Sequence, residues 1–432
     1  MKRLYPDVIV TRSYVFSASL WVFFVFLTVV FFLSQHDLFH SIKWQETGLS
    51  TAHEIATATS EGSVSRRIAL FLLGGVAVVS LLRRRRNPLR TNGFLGYLTL
   101  FFLVWAVLSL AWANDTALTL RRLVILAMLS LGAIAVAERF SIRQIMLLFF
   151  FCCGVFLVVG IFAEIALGAF HPFQTGYRFC GTNDPNVGSW GLATLFLTAV
   201  ALASTTDRCR AILWAMAFIA LAFLLLSRTR TTFAAVVLAL GSYWFLISSR
   251  SRKAAFVLAL SWVVCLLFLL LGDQLISGAW QVILLGRDGS GTATLTGRIP
   301  VWERCFLYVA KSPLLGYGYN GFWTPQHVIE ISDSVDYGGT GVPWAFNSYI
   351  DLILGVGFVG AGAYILMLTL AIKRSVVLYK RSNNRDYAFV YAMIVFFCIV
   401  MLLEGIASDT GIASFAVFTL LAKLAFSVPP PC

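Results

Sequence analysis

The chain has 432 residues, of which 59% are hydrophobic and 12% charged, with a formal net charge of +13. Soluble domains carry about 45–50% apolar and about 25% charged residues, so this composition excludes an ordinary soluble enzyme and indicates an all-α integral membrane protein. The positive charge does not indicate nucleic-acid binding, because that needs basic residues gathered on one solvated face, and here they are scattered between apolar runs.

In chain order the apolar runs are 14–34, 68–82, 93–112, 123–137, 145–168, 187–204, 211–227, 232–248, 254–272, 348–372, 387–403 and 412–428. That predicts about 12 transmembrane helices in a single polytopic membrane domain spanning 1–432. Several runs are shorter than the roughly 20 residues that cross a bilayer untilted, so their ends extend into flanking polar residues. The first run follows a basic segment as a signal peptide does, but it is long and lacks a small-residue cleavage site, so it reads as a retained span. Cys152, Cys153, Cys265 and Cys398 fall within apolar runs, where a thiol acts as a small hydrophobe, and no zinc-ligand spacing occurs.

Between the ninth and tenth runs lies one long polar segment, 273–347, which combines Gly, Pro, Asp, Glu, Arg and Trp. Such a composition needs water or a polar surface, so the segment is a large extramembrane loop and the first place to look for a site. With a cytoplasmic N-terminus, 20 of the 33 Lys and Arg fall on the cytoplasmic side, the run Arg83 to Arg86 among them. The positive-inside bias therefore predicts cytoplasmic termini and an outward loop, periplasmic in a bacterial inner membrane. Against that bias, Arg178, Arg228, Arg230, Arg298 and Arg304 all fall outside or at the outer ends of spans. Arg suits two-pronged recognition of phosphate and carboxylate, so the set predicts a shared anion site at the outer face. Glu164, Asp351 and Glu404 lie at the same level, where pairing with these arginines is the natural expectation.

Gly316-Tyr-Gly318-Tyr-Asn-Gly321 satisfies the dinucleotide fingerprint as a string, but no strand, following helix or ribose-binding acid accompanies it. Its glycines instead permit an irregular turn that would set Tyr317, Tyr319, Phe322 and Trp323 on one surface, suited to stacking on sugar rings or to an interfacial aromatic belt. Gly355, Gly357, Gly360 and Gly362 read as small residues for close helix packing.

Five strings in order carry a resemblance: SLAWANDTALTLRRL at 109–123, YRFCGTNDPNVG at 177–188, LLLSRTRTTFAAVVLAL at 224–240, LTGRIPVWERCF with SPLLGYGYNGFW in the long segment, and AFNSYIDLILGVGFVGAG at 345–362. From residue 93 onward the chain resembles the O-antigen ligase and polysaccharide polymerase superfamily, and its long segment is similar in particular to bacterial exopolysaccharide polymerases that build acidic heteropolysaccharides. The resemblance implies a glycosyltransferase without nucleotide sugar, cofactor or metal. It would take a glycan from undecaprenyl diphosphate at the periplasmic face and pass it, with inversion, to a hydroxyl of an acceptor glycan. The implied partners are that lipid-linked oligosaccharide, the acceptor glycan, the lipid bilayer and a chain-length regulator. By position, Arg178 and Arg230 match the family's two span-end arginines, and Arg298 matches the Arg of its long-loop GR element. With Asp351 they form the expected catalytic set, while Arg228, Arg304, Tyr317, Trp323 and Asn347 form the expected substrate-binding set.

One position departs from the pattern. Ligases of this family carry a His before the Asn that opens the tenth run, and here that position is Phe346. A phenyl ring takes no proton, so either Asp351 or His327 serves as base or the leaving step needs little base assistance. The departure favours polymerisation over ligation to a lipid A-core. A lipid-linked oligosaccharide flippase is the competing class, but no internal repeat is present and the charges gather at one face. In a cysteine-labelling experiment from outside the cell, probes within 288–294 should react and probes within 382–385 should not; the reverse pattern would invert the orientation and remove the outer site.

Overall fold

The structure, a computed structural model, describes residues 18–47, 51–83, 91, 93–174, 176–207, 209–249, 295–335 and 341–426. The ninth apolar run, the opening of the long segment at 273–294 and the basic residues Arg84 to Arg86 lie outside the described residues. Every other predicted run is helical. The order is α1 (Ala18–Gln35), α2 (His40–Thr47), α3 (Ala52–Glu61), α4 (Val64–Leu82), α5 (Gly93–Leu108, extended by a 3₁₀ turn to Trp112), α6 (Thr116–Arg139), α7 (Ile142–Ala166), α8 (Pro185–Ala203), α9 (Arg210–Leu226), α10 (Arg230–Ile247), α11 (Leu295–Lys311), α12 (Pro325–Ser334), α13 (Ser348–Ser382), α14 (Arg385–Val400) and α15 (Ile412–Phe426). No strand occurs among the described residues. Eight helices are long and apolar enough to cross a membrane, while α9 and α15 are apolar but shorter.

Local sequence explains the boundaries. Ser141 and Gln144 form a capping box that opens α7. Asp184 caps α8 with Pro185 at its first position, and Asn347 caps α13 through Tyr349 N and Ile350 N. The helices pack around one apolar core in which Phe31, Phe102, Phe149, Phe396, Phe397 and Phe415 are all essentially inaccessible. Lys423, in the last turn of α15, points to the bundle end opposite the long segment. There its Nζ donates to Ala137 O and Phe140 O, both at 2.7 Å, and satisfies carbonyls at the end of α6.

The described part of the long segment has a core of its own, built from Val301, Cys305, Tyr317, Phe322, Val328, Ile331 and Ile350, onto which Ile55 and Ala56 of α3 pack. It does not merely lie on the bundle. Its stretch Pro313–Tyr319 enters where α13 is broken at Gly357, which has φ +68° and ψ −178°. The break frees backbone groups, and the entering chain meets them: Tyr317 N donates to Leu354 O at 2.8 Å and Phe358 N donates to Pro313 O at 2.8 Å. Trp105 of α5 donates its Nε1 to Val356 O at 3.0 Å. Irregular backbone at membrane depth is tolerated only with such internal partners. The expectation that Gly355 and Gly357 serve helix packing is therefore corrected, because the element that comes close is a loop. A Cβ on Gly357 would stand 2.0 Å from Leu314 O, and one on Gly316 would stand 2.7 Å from Gly357 N.

Gly357→Ala should accordingly be far more damaging than Gly362→Ala, whose Cβ would meet open space. The backbone conformation alone costs about 1–3 kcal/mol, so the Gly357 variant should lose monodisperse protein in detergent at lower temperature than wild type; equal melting of the two variants would refute the tight junction.

Candidate active site

At the bundle end that carries the long segment, a strap runs from Tyr177 to the cap of α8. Glu164, near the end of α7, holds it by accepting hydrogen bonds from Cys180 N at 2.9 Å, Gly181 N at 2.7 Å and the Tyr177 hydroxyl. The expected pairing of Glu164 with an outer arginine is not what the described contacts show; the carboxylate binds backbone and phenol instead. Gly160 and Gly181 let strap and α7 approach to about van der Waals contact, since a Cβ on either would lie 3.1–3.2 Å from the other's Cα. Fixed in this way, Arg178 donates Nε to Ser227 O and Nη2 to Asn186 Oδ1, each at 3.0 Å. Burial lowers the pKa of its guanidinium, with Asp184, Cys180 and Glu404 opposing that shift and Arg228 adding to it.

Arg228 sits in the tight turn between α9 and α10 with φ +52°, and Arg230 opens α10 with its Nε buried and without a hydrogen-bond partner among the described residues. From the long segment, α11 supplies Arg298. Its Nη2 pairs with Glu404 Oε1 at 3.1 Å, and its guanidinium lies 5.5 Å from the centre of the Phe346 ring. Glu404 is buried, and burial pushes its carboxyl up to about 7 against the lowering influence of Arg298. Its main chain is tied to the start of α13, because Ser348 Oγ donates to Glu404 O at 2.6 Å. Electrostatic coupling links Glu404 to Arg298, Asp184 and Arg178. Arg178 and Arg298, distant in sequence, thus converge on one buried acid, and Arg228 lies within electrostatic range of Arg178. Two of the four non-glycine residues with positive φ among those described, Arg228 and Phe346, border this cluster, as strained residues at functional sites do.

The other expected site residues are placed differently. Asp351 lies within the long segment's core, where its Oδ1 accepts from Trp323 Nε1 at 2.8 Å and from Ala345 N at 3.1 Å, while its Oδ2 is buried without a partner. Tyr317, Tyr319, Phe322 and Trp323 do not present a shared outer surface. They are between 1% and 8% exposed, and Tyr317, Phe322 and Trp323 pack in that same core. The reason is that a loop of this size must bury apolar area of its own, and its aromatic residues are the largest available. His327 stacks on Phe322 with its Nδ1 2.6 Å from Phe322 O. Arg304 is exposed on α11, and Asn347 spends its side-chain oxygen on the cap of α13. Cys180 and Cys305 are buried free thiols. Among the described residues no three His, Cys, Asp or Glu side chains are grouped to hold a metal.

Residues 215–365 match the family described as O-antigen ligase. This stretch of the chain is similar to an O-antigen ligase domain. The matched stretch runs from within α9 into α13 and contains Arg228, Arg230, Arg298, Phe346 and Asp351, whereas Arg178 and Glu404 lie outside it. No curated protein matches the chain. Glu404 was visible in the sequence only as an acid beside an apolar run, and Ser227, Asn186 and Ser348 carried no signal, since their part is to orient other groups through single hydrogen bonds.

Asp351→Ala should destabilise the long segment, because it leaves Trp323 Nε1 and Ala345 N buried without an acceptor, at about 1–3 kcal/mol for such groups. Asp351→Asn keeps an acceptor oxygen and should cost less. Limited proteolysis within the long segment measures the difference; equal resistance of the alanine variant and wild type would remove this structural assignment.

Proposed function

We propose that this protein is a membrane glycosyltransferase that polymerises undecaprenyl-diphosphate-linked glycan repeat units at the periplasmic face, transferring the growing glycan to a hydroxyl of the next unit with inversion and without a metal. Its similarity to an O-antigen ligase domain supports the coarser reading, ligase or polymerase action on a lipid-linked glycan in a membrane. The observation that carries the finer one is the gathering of Arg178 and Arg298 around one acid, with Arg228 in electrostatic range of Arg178 and Arg230, two residues further on, holding an unpartnered Nε. A departing lipid diphosphate carries the charge that such donors stabilise, and fixed donors aimed at charge formed in the transition state lower the barrier. The four arginines come from the strap, the α9–α10 turn, the start of α10 and α11. They can therefore meet several phosphate oxygens at once, which one helix face cannot do. Phe346, whose ring packs beneath Arg298, offers no proton acceptor at the position where ligases carry His, and this favours polymerisation over transfer to a lipid A-core.

Replacing Arg178, Arg230 or Arg298 by Lys keeps the charge and loses the fork geometry. Each variant should lower polymer formation by on the order of 10²-fold, at unchanged membrane protein level. Arg381→Lys, exposed at the opposite end of α13, should behave as wild type. Polymer from cells carrying each variant is read on a gel and normalised to protein. Wild-type polymer from all three outer variants would refute the diphosphate site, and accumulation of lipid-linked units on the cytoplasmic leaflet would assign the protein to flipping.

A further inference from the structure

Of the three buried acids among the described residues, Glu164, Asp351 and Glu404, two are committed elsewhere. Glu164 is saturated by the strap's backbone and the Tyr177 hydroxyl. Asp351 is enclosed in the core of the long segment, and its interaction partners among the described residues are Trp323, Ala345 and Cys305. Asp184 faces the cluster but accepts from Asn186 N at 2.8 Å and Val187 N at 3.4 Å as the cap of α8, so its oxygen is held by a helix terminus. His327 turns one ring nitrogen to Phe322 O within an aromatic stack. Glu404 differs. One oxygen, Oε1, pairs with Arg298, and no described hydrogen bond engages Oε2. Its backbone is pinned by Ser348 N, Ser348 Oγ and, through that same hydroxyl, Ala407 N, so the turn holds the carboxylate against Arg298 with Arg178 in electrostatic range.

We propose that Glu404 is the general base of the transfer, taking the proton of the acceptor hydroxyl at Oε2. This inference rests on the transferase reading above. In the step, the acceptor O–H bond breaks and its electron pair forms the new bond to the anomeric carbon. The bond from that carbon to the diphosphate oxygen breaks, its electron pair leaves on the diphosphate beside the arginines, and the proton stays on Glu404 until water removes it. Arg298 links the two ends of the reaction: the guanidinium that orients the base also belongs to the group that receives the leaving charge. A base works best with a pKa near the working pH, and burial has pushed Glu404 up to about 7. The charged groups that face it are Arg298, Arg178 and Asp184.

The test uses the purified full chain in lipid discs with a lipid-diphosphate-linked repeat unit as donor and either an acceptor glycan or sodium azide as nucleophile. Azide needs no deprotonation. Glu404→Gln keeps an oxygen for Arg298 but takes no proton, so transfer to the glycan should fall by on the order of 10²- to 10⁴-fold, while transfer to azide stays within a few-fold of wild type. Arg178→Lys and Arg298→Lys should depress both reactions, since they act on the donor. With wild type, kcat/KM for the glycan should rise with pH through about 7, because the base must be ionised, and Glu404→Gln should lack that limb. Near-normal glycan transfer by Glu404→Gln, equal loss of its azide transfer, or a wild-type profile without the acid limb would each overturn the assignment. If the two arginine variants kept both reactions, the diphosphate reading would fail instead, whatever Glu404 did.

Discussion

Backbone amides and carbonyls have no water to turn to at membrane depth, and the break in α13 at Gly357 releases several of them together. The stretch Pro313–Tyr319 supplies partners for Leu354 O and Phe358 N, and Trp105 supplies one for Val356 O. This exchange locks the long segment to the bundle at a point where sliding would cost several hydrogen bonds. Further contacts extend the lock, with Trp112 Nε1 donating to Leu315 O at 2.9 Å and Tyr319 N to Ser109 Oγ at 2.9 Å. Once Pro313–Tyr319 is fixed, α11 is fixed too, through Tyr317 and the core of Val301, Cys305 and Val309. Arg298 can then meet an acid on a different part of the chain.

The site is assembled from elements that are each held by backbone contacts rather than by charge pairs alone. Glu164 anchors the strap of Arg178, Ser227 receives Arg178 Nε, and Ser348 fastens the turn of Glu404. Such anchoring matters because an arginine fork discriminates a phosphate only if it is already oriented, and reorientation during the reaction would forfeit much of the electrostatic gain. The arginines repel one another, and within the described structure Glu404 offsets part of that repulsion. A diphosphate brings more negative charge than one carboxylate, so the cluster is better matched to a bound anion than to its own acid.

The aromatic residues show how a plausible surface reading yields to packing. Tyr317, Phe322 and Trp323 have the composition of a sugar platform, yet they fill the interior of the long segment, and Trp323 spends its N–H on Asp351. Asp351 in turn serves as an acceptor for Ala345 N. Both residues thereby hold the segment that carries Phe346 and Asn347 at the mouth of α13, near the pair of Arg298 and Glu404.

Hydropathy alone determined the all-helical membrane class, and eleven of the twelve predicted runs are helices because a run of apolar residues in lipid has no other way to satisfy its backbone. Caps at Ser141, Asp184 and Asn347 were equally local, and so was the excess of arginine at one end of the spans, which singled out Arg178, Arg228, Arg230 and Arg298. What composition and spacing could not convey was which acid those arginines would meet. Glu164, Asp351 and Glu404 are alike as isolated letters beside apolar runs, and their partners are set by contacts across 6 to 106 positions of sequence. Only the folded chain distinguishes an acid that binds a strap, an acid that holds a loop core and an acid that faces arginine, because that difference depends on which backbone N–H groups the tertiary structure brings to each carboxylate.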